Sequence, residues 1–280
     1  MHATLTVRLR AAGCVFAEDE AGLLLEATTE AGHLDAQLLE VMVRRREQGH
    51  PLEHIVGWAA FDGWRVRVGE GVFVPRRRSE FVVEVAVDEL IALGRRRPVV
   101  VDLCCGSGAI AGAIARRIER IEIHAVDVDP VAVACARGNL AELAGLVEDG
   151  STADVVTGDL YRPLALGLRG RVDLIVCSPP YVPTGAVATM PIEARVFEPL
   201  RALDGGDDGL AIARRVISGA GEWLAPDGVL LVEGARSQAP VAARAAAGAG
   251  LTAEVRHDAE RGATVLVGRR VAQRAEQTPQ

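Results

Sequence analysis

From Pro98 onward, short apolar β-branched runs alternate with longer helical stretches, and this alternation admits few architectures. Val99–Leu103 reads as a buried strand and Ala109–Ile118 as a helix. Ile121–Asp127 and Val155–Thr157 are further strands, with a helix from Pro130 to Leu143 between them. Val172–Cys177 is the fourth strand, a helix covers 208–224, and Gly228–Val232 is the fifth. A helix over Gln238–Ala249 and strands near 251–257 and 263–268 complete the series. Seven strands in this pattern predict a mainly parallel sheet with helices on both faces, an α/β fold. Hydrophobic residues make up 49% of the chain and aromatics only 4%, so the core must rest on Ala, Val, Leu and Ile.

The first 57 residues read differently. Leu23, Leu24 and Leu25, then Leu34, Leu38, Leu39 and Met42, recur at helical intervals. Arg44-Arg45-Arg46 ends that stretch, as a solvated last turn that complements the helix dipole. Between Phe61 and Val74 the period changes. Trp64, Val66, Val68, Val72 and Val74 alternate with polar residues around Gly69-Glu70-Gly71, which reads as a β-hairpin turning at those glycines. Ser79 is placed to cap the helix that follows, to about Leu93. The organisation expected is a small helical domain over 1–57, a β-hairpin linker over 58–78, a large domain over 79–270, and a frayed tail over 271–280.

Charge and cysteine usage exclude several classes. The net charge of −7 disfavours direct nucleic-acid binding, which usually needs a basic face. No apolar run reaches the roughly 18–20 residues of a membrane span, and Arg8 and Arg10 precede no long apolar stretch, so no signal-peptide pattern is read. The five cysteines form no C-x-x-C pair, so free thiols in a reducing cytoplasm are expected. The six histidines lack metal-ligand spacing, and no metal is assigned.

Asp102-Leu103-Cys104-Cys105-Gly106-Ser107-Gly108 joins the first strand of the alternating region to its helix. Gly106 and Gly108 allow a tight turn and a close ligand approach, and the helix start offers free N–H groups. NAD, a flavin and S-adenosylmethionine all suit such a turn. Cys104 and Cys105, within it, read as small packing residues. Asp127 ends the next strand, where a carboxylate can accept both ribose hydroxyls of a nucleoside; Asp129 better suits a helix cap before Pro130. Gly158-Asp159-Leu160 follows the third strand, where Asp159 can accept from an adenine amine and Leu160 can pack on the ring.

Cys177-Ser178-Pro179-Pro180-Tyr181 chooses the reaction. The prolines fix φ and leave carbonyls that no neighbouring N–H claims. The Pro179 carbonyl and Ser178 Oγ can then accept the two N–H groups of an amide or amine, with Tyr181 against its plane. That answers a real difficulty, because the lone pair of an amide or nucleobase nitrogen is shared with a π system. Two acceptors out of plane favour a geometry in which the lone pair points at a methyl donor.

The glycine turn, Asp127 and the Ser-Pro-Pro-Tyr box resemble the class I amino-methyltransferases, and within them the release-factor protein-(glutamine-N5) methyltransferases. Arg44–Gly57, Gly71–Arg76 with Glu80, and Phe197-Glu198-Pro199-Leu200-Arg201-Ala202-Leu203 carry the closer resemblance, over roughly residues 20 to 268. It implies a Rossmann-like fold with a seven-stranded, mostly parallel sheet, S-adenosyl-L-methionine as cofactor, and a protein substrate bearing a glutamine, a release factor in the first instance. It also implies that Cys104, Cys105, Gly106, Ser107, Gly108, Asp127, Asp159, Leu160, Ser178 and Arg76 surround the cofactor. Ser178, Pro179, Pro180, Tyr181 and Phe73 would then face the acceptor.

Three departures stand out. Ser178 occupies the family's asparagine position. Pro75-Arg76-Arg77-Arg78-Ser79-Glu80 loses a proline and an acid of the family pattern. The N-terminal helical region, which helps hold the substrate, is shorter by roughly a helix or more. Competing readings are a nucleic-acid amino-methyltransferase acting on cytosine N4 or adenine N6, a small-molecule N-methyltransferase, and a cofactor-binding protein without activity. A base-flipping enzyme needs a recognition region for which this chain has little room.

Overall fold

The computed structural model describes residues 1–146 and 150–270; the expected tail over 271–280 lies outside them. Four helices, α1 (His2–Ala11), α2 (Ala17–Ala27), α3 (Ala36–Glu47) and α4 (Leu52–Val56), open the chain. A two-residue ladder between β1 (Thr29–Glu30) and β2 (His33–Leu34), absent from the sequence reading, interrupts them. Leu5, Leu9, Leu24, Leu39, Val43 and Ile55 form a hydrophobic cluster of their own here. Asp35 caps α3, accepting from the N–H groups of Gln37 and Leu38 at 3.0 and 2.9 Å.

The arginine run at the end of α3 departs from the expectation of a solvated turn. Arg44 is exposed, but Arg46 is only 7% exposed. Its guanidinium donates to Glu20 of α2 at 2.6 and 3.1 Å and to the His50 carbonyl at 3.1 Å. It also lies 2.6 Å from Glu193 of α8 (Ile192–Phe197). That side of the last turn faces two packed helices rather than water.

The hairpin is present, but its turn is elsewhere. β3 (Trp58–Phe61) pairs with β4 (Trp64–Arg67) around Asp62-Gly63, whose φ values of 50° and 70° are those of a two-residue primed turn. Gly69-Glu70-Gly71 lies in a loop instead. Val72 and Val74 are buried there without belonging to a strand, so their alternation only imitates one. His54 bonds the Val72 carbonyl at 2.8 Å, and Glu198 accepts from the Val74 N–H at 3.1 Å. Those two bonds give the loop the ties that a ladder would.

The remaining strands are β5 (Val99–Leu103), β6 (Glu122–Asp127), β7 (Thr152–Thr157), β8 (Val172–Cys177), β9 (Leu224–Glu233), β10 (Leu251–Asp258) and β11 (Ala263–Arg270). They form one sheet in the order β10-β11-β9-β8-β5-β6-β7, parallel throughout except that β11 runs against both its neighbours. Strand alternation sorts the core into two layers. Val100 and Leu174 face α5 (Glu80–Leu93), α6 (Ala109–Ala115) and α7 (Pro130–Leu146). Val101 and Ile175 face α9 (Ala211–Trp223) and α10 (Ala239–Gly248). This is the seven-stranded, mostly parallel sheet that the resemblance implies. Because β5 lies between β6 and β8, successive crossovers diverge at β5, and a crevice opens beyond the carboxyl ends of β5 and β8.

Removing Arg46 leaves Glu20 buried without its cation. Arg46→Ala is expected to cost about 3–5 kcal/mol in urea unfolding, the usual penalty for stranding one member of a buried pair. The double change Arg46→Leu with Glu20→Leu should recover most of it. A cost for Arg46→Ala below about 1 kcal/mol, the range of exposed pairs, would show that water reaches Glu20.

Candidate functional site

A cavity of about 760 Å³ fills the crevice. Its wall takes residues from the ends of β5, β6, β7 and β8, from the loop before α5, and from the segment between β8 and α9. Phe73, Arg76, Cys104, Gly106, Asp127, Asp159, Leu160, Ser178, Pro179, Pro180 and Tyr181 all line it. Cys105, Ser107 and Gly108 do not: they are buried in the turn and shape it from behind.

The turn after β5 is held in left-handed backbone at Cys104, Gly106 and Gly108, with φ of 58°, 54° and 76°. At Cys104 that conformation is a strain of the kind found at ligand clamps. Gly108 has a second reason to be glycine: a Cβ there would meet Ala136 of α7 at 3.1 Å. At Gly106 a Cβ would meet nothing within 4 Å, so the backbone lies open to a ligand. Beneath the turn, Asp102 accepts from the Ala111 N–H at 3.2 Å while its Oδ1 has no partner among the described residues. Burial pushes its carboxyl up to about 8.

Asp127 is half-buried at the end of β6. One oxygen accepts from the Gly106 N–H at 2.9 Å and the other from the Asp129 N–H at 2.9 Å. Burial raises its carboxyl above the ordinary range, and these two bonds pull it back. Each oxygen keeps lone-pair capacity toward the cavity, which fits a diol. Asp129 caps α7 through the Val131 N–H at 2.9 Å. At the end of β7, Leu160 is buried with φ of 53°. Asp159 accepts from Arg215 of α9 at 2.7 and 2.8 Å, which holds its carboxyl below the ordinary range. Its charge is therefore shared with a cation before any amine arrives.

On the other side, the Ser178-Pro179-Pro180-Tyr181 loop is clamped by glycines. A Cβ on Gly205 would lie 2.6 Å from the Pro180 carbonyl oxygen, and one on Gly209 2.2 Å from that of Tyr181. Gln238 donates to the Tyr181 carbonyl at 2.8 Å. Arg76 donates to Glu198 at 2.5 Å and lies 4.7 Å from the centre of the Phe73 ring, while Arg78 lies 5.7 Å from that of Tyr181. Burial raises the Glu198 carboxyl, and Arg76 opposes that rise.

Sequence reasoning missed Glu233. It ends β9, is 3% exposed and lines the cavity, and it accepts hydrogen bonds from both Ser178 and Ser79. Ser79 therefore does not cap α5 with its side chain, as expected; its hydroxyl is used on Glu233. The signal was positional: an acid closing an apolar strand run, Val229–Val232, next to the strand that carries the box.

The methyltransferase small domain family matches residues 70–204. A release factor glutamine methyltransferase of Streptomyces coelicolor is 40% identical over 211 residues, 75% of this chain and 72% of that protein. A 4-amino-L-phenylalanine/4-methylamino-L-phenylalanine methyltransferase of Streptomyces pristinaespiralis is 39% identical over 194 residues, 68% of this chain and 63% of that protein. Among solved structures, a T. thermophilus 16S rRNA N2 methyltransferase in complex with AdoMet and guanosine superposes with a TM-score of 0.52 at 21% identity, over 76% of this chain and 49% of that one. S-adenosylmethionine is the cofactor, and the open backbone at Gly106 and the paired acceptors of Asp127 suit its nucleoside.

Asp127→Ala should weaken S-adenosylmethionine binding by roughly 2–3 kcal/mol, since two hydroxyls lose a charged acceptor. Calorimetry on the purified protein measures this directly, and unchanged affinity would remove Asp127 from the ribose site.

Proposed function

The chain belongs to the release factor glutamine methyltransferase family, and we propose that it methylates the side-chain amide nitrogen, N5, of a glutamine in a protein, a peptide chain release factor being the first substrate to test. The observation that carries this reading is the Ser178–Tyr181 box, walling the same cavity as Asp127. Bound S-adenosylmethionine supplies a methyl group on a sulfonium centre. Asp127 holds the ribose, while Leu160 and the backbone of Cys104-Cys105-Gly106-Ser107-Gly108 shape the nucleoside side of the site. Asp159 meets the adenine edge with Arg215 behind it. The Pro179 carbonyl and Ser178 Oγ accept the two amide N–H groups, and Tyr181 and Phe73 bound the amide plane. Arg76, anchored on Glu198, fixes the Phe73 edge of the pocket. The work is orientation and electrostatics, as a delocalised lone pair requires.

In this reading residues 1–57 hold the protein substrate, 58–78 link, and 79–270 catalyse. The N-terminal helices brace the cavity wall: Arg46 bonds Glu193, and the His50 ring lies 4.1 Å from that of Phe197. The net charge of −7 disfavours a nucleic-acid substrate. None of the described helices is long and apolar enough to cross a membrane, and the proposed place of action is the cytoplasm, where release factors work.

Ser178 supports a second reading. A shorter acceptor than asparagine, together with the 39% identical relative named for aminophenylalanine methylation, favours a small arylamine substrate.

Transfer of labelled methyl to purified release factors separates the two. Each factor is assayed as wild type and with the glutamine of its Gly-Gly-Gln loop changed to alanine, beside 4-aminophenylalanine. Label on the wild-type factor alone is the expected result; label on the arylamine alone would transfer the function to a small molecule. Tyr181→Ala should lower turnover roughly tenfold or more while sparing calorimetric cofactor affinity, as expected for a residue that orients the acceptor. Equal turnover would make Tyr181 structural.

A further inference from the structure

A serine in the acceptor position has an ambiguity that asparagine lacks. Its oxygen accepts, but its single hydrogen can rotate into the cavity, where it would oppose the N–H of an incoming amide. Ser178 Oγ lies 2.8 Å from Glu233 Oε2, and Ser79 Oγ lies 2.8 Å from the same oxygen and 3.0 Å from Oε1. An ionised carboxylate can only accept, so both hydroxyl hydrogens are drawn to Glu233 and the Ser178 lone pairs are left facing the cavity. We propose that Glu233 is a positioning residue that fixes Ser178 as a pure acceptor for the nitrogen to be methylated, taking over the role that an amide carbonyl has by nature. The proposal rests on the acceptor site assigned above to Ser178 and extends it by one residue behind the box.

Placement and charge both favour this role over a packing one. Glu233 is buried at the carboxyl end of a central strand, where packing alone would call for an apolar side chain, and it borders the cavity. The cation facing it is Arg78, whose Nε is 3.9 Å away and which lies on the rim, 44% exposed. Tyr181 faces it from the box; burial first, and then the Glu233 charge, push that phenol above its ordinary range. As the methyl bond forms, the nitrogen gains positive charge and its N–H groups become stronger hydrogen-bond donors. A hydroxyl already polarised by a carboxylate is then a better acceptor in the transition state than in the ground state.

The protonation state of Glu233 therefore sets the polarity of Ser178. Burial raises the Glu233 carboxyl, and the two serine hydroxyls oppose that rise. A proton on Oε2, the oxygen that both serines share, makes it a donor, and the hydrogen of the serine that receives it turns outward. Turnover should fall as pH drops through a value above the ordinary carboxylate range. Glu233→Gln, whose amide donates permanently, should reproduce the low-pH form at every pH.

The test compares kcat and its pH profile in wild type, E233Q, S178N and S178N/E233Q, with calorimetric cofactor affinity and thermal unfolding as fold controls. E233Q should lose roughly tenfold to a hundredfold in kcat, less than the roughly hundredfold to thousandfold of removing an oriented group outright, because Ser178 itself stays in place. Its cofactor affinity should stay unchanged and its acid limb should flatten. In the S178N background the same change should cost little, because asparagine accepts without help. A second readout needs no turnover: infrared titration of the cofactor-free protein should place the Glu233 midpoint higher in S178A than in wild type. Wild-type kcat and pH profile in E233Q, an equal loss in the S178N background, or an unmoved midpoint in S178A would each overturn the proposal. Failure of the substrate reading looks different: wild type would ignore release factors and turn over the arylamine. The E233Q comparison then runs unchanged on that substrate, which also presents N–H groups to Ser178.

Discussion

Everything at the site follows from the divergence of crossovers around β5. A parallel strand must be left and re-entered through a helix, and where one crossover goes left and the next right, no connection closes the carboxyl edge. Leu103↔Val126 and Leu103↔Cys177 are the last register pairs before that opening. Every strand end beside it delivers a short, constrained segment into the same space. Gly106 arrives from β5, Asp127 from β6, Leu160 from β7, Ser178 from β8 and Glu233 from β9. The sheet registers are fixed by two buried faces, so the relative heights of these residues are fixed as well.

The other wall of the cavity is not part of the sheet and needs separate support. It receives that support from three buried polar side chains rather than from a ladder. Glu198 ties the Val74 N–H to Arg76, His54 ties the Val72 carbonyl to α4, and Arg46 joins α2, α3 and α8 at one point. The N-terminal helices thus bear on the 182–204 segment, and through it on the acceptor side of the site. The last helical turn of α3 and the following Gly49-His50 make that contact.

How much of this was legible depended on whether the cause was local. The seven strands and the glycine turn were readable because apolar runs, β-branched residues and Gly-Ser-Gly report the backbone directly. The hairpin turn was misplaced because Val72 and Val74 alternate in burial without pairing, while Asp62-Gly63, the stronger turn signal, was passed over. Nothing in a run of three arginines says which one faces Glu20, 26 residues earlier, so the sequence reads all three as solvated. Glu233 was missed for the same reason: its partners lie 55 and 154 residues away. Charges whose role is set by tertiary partners are invisible to periodicity.

Three buried or half-buried carboxylates, Asp127, Glu198 and Glu233, share one electrostatic condition. Burial raises each of them, and specific donors oppose the rise: backbone N–H groups at Asp127, Arg76 at Glu198, and two serine hydroxyls at Glu233. A carboxyl whose folded value stays above its unfolded one binds its proton more tightly in the folded state. Its contribution to stability is then present at low pH and is lost as pH rises through the folded value. The ionised forms, which anchor Arg76 at Glu198 and in the proposed reading accept a ribose and orient Ser178, are therefore held at some cost in stability. A chain selected for stability alone would replace them with apolar residues of similar volume. Their concentration around one cavity, each with its charge facing a donor or the cavity itself, is what a site built for directed hydrogen bonding requires.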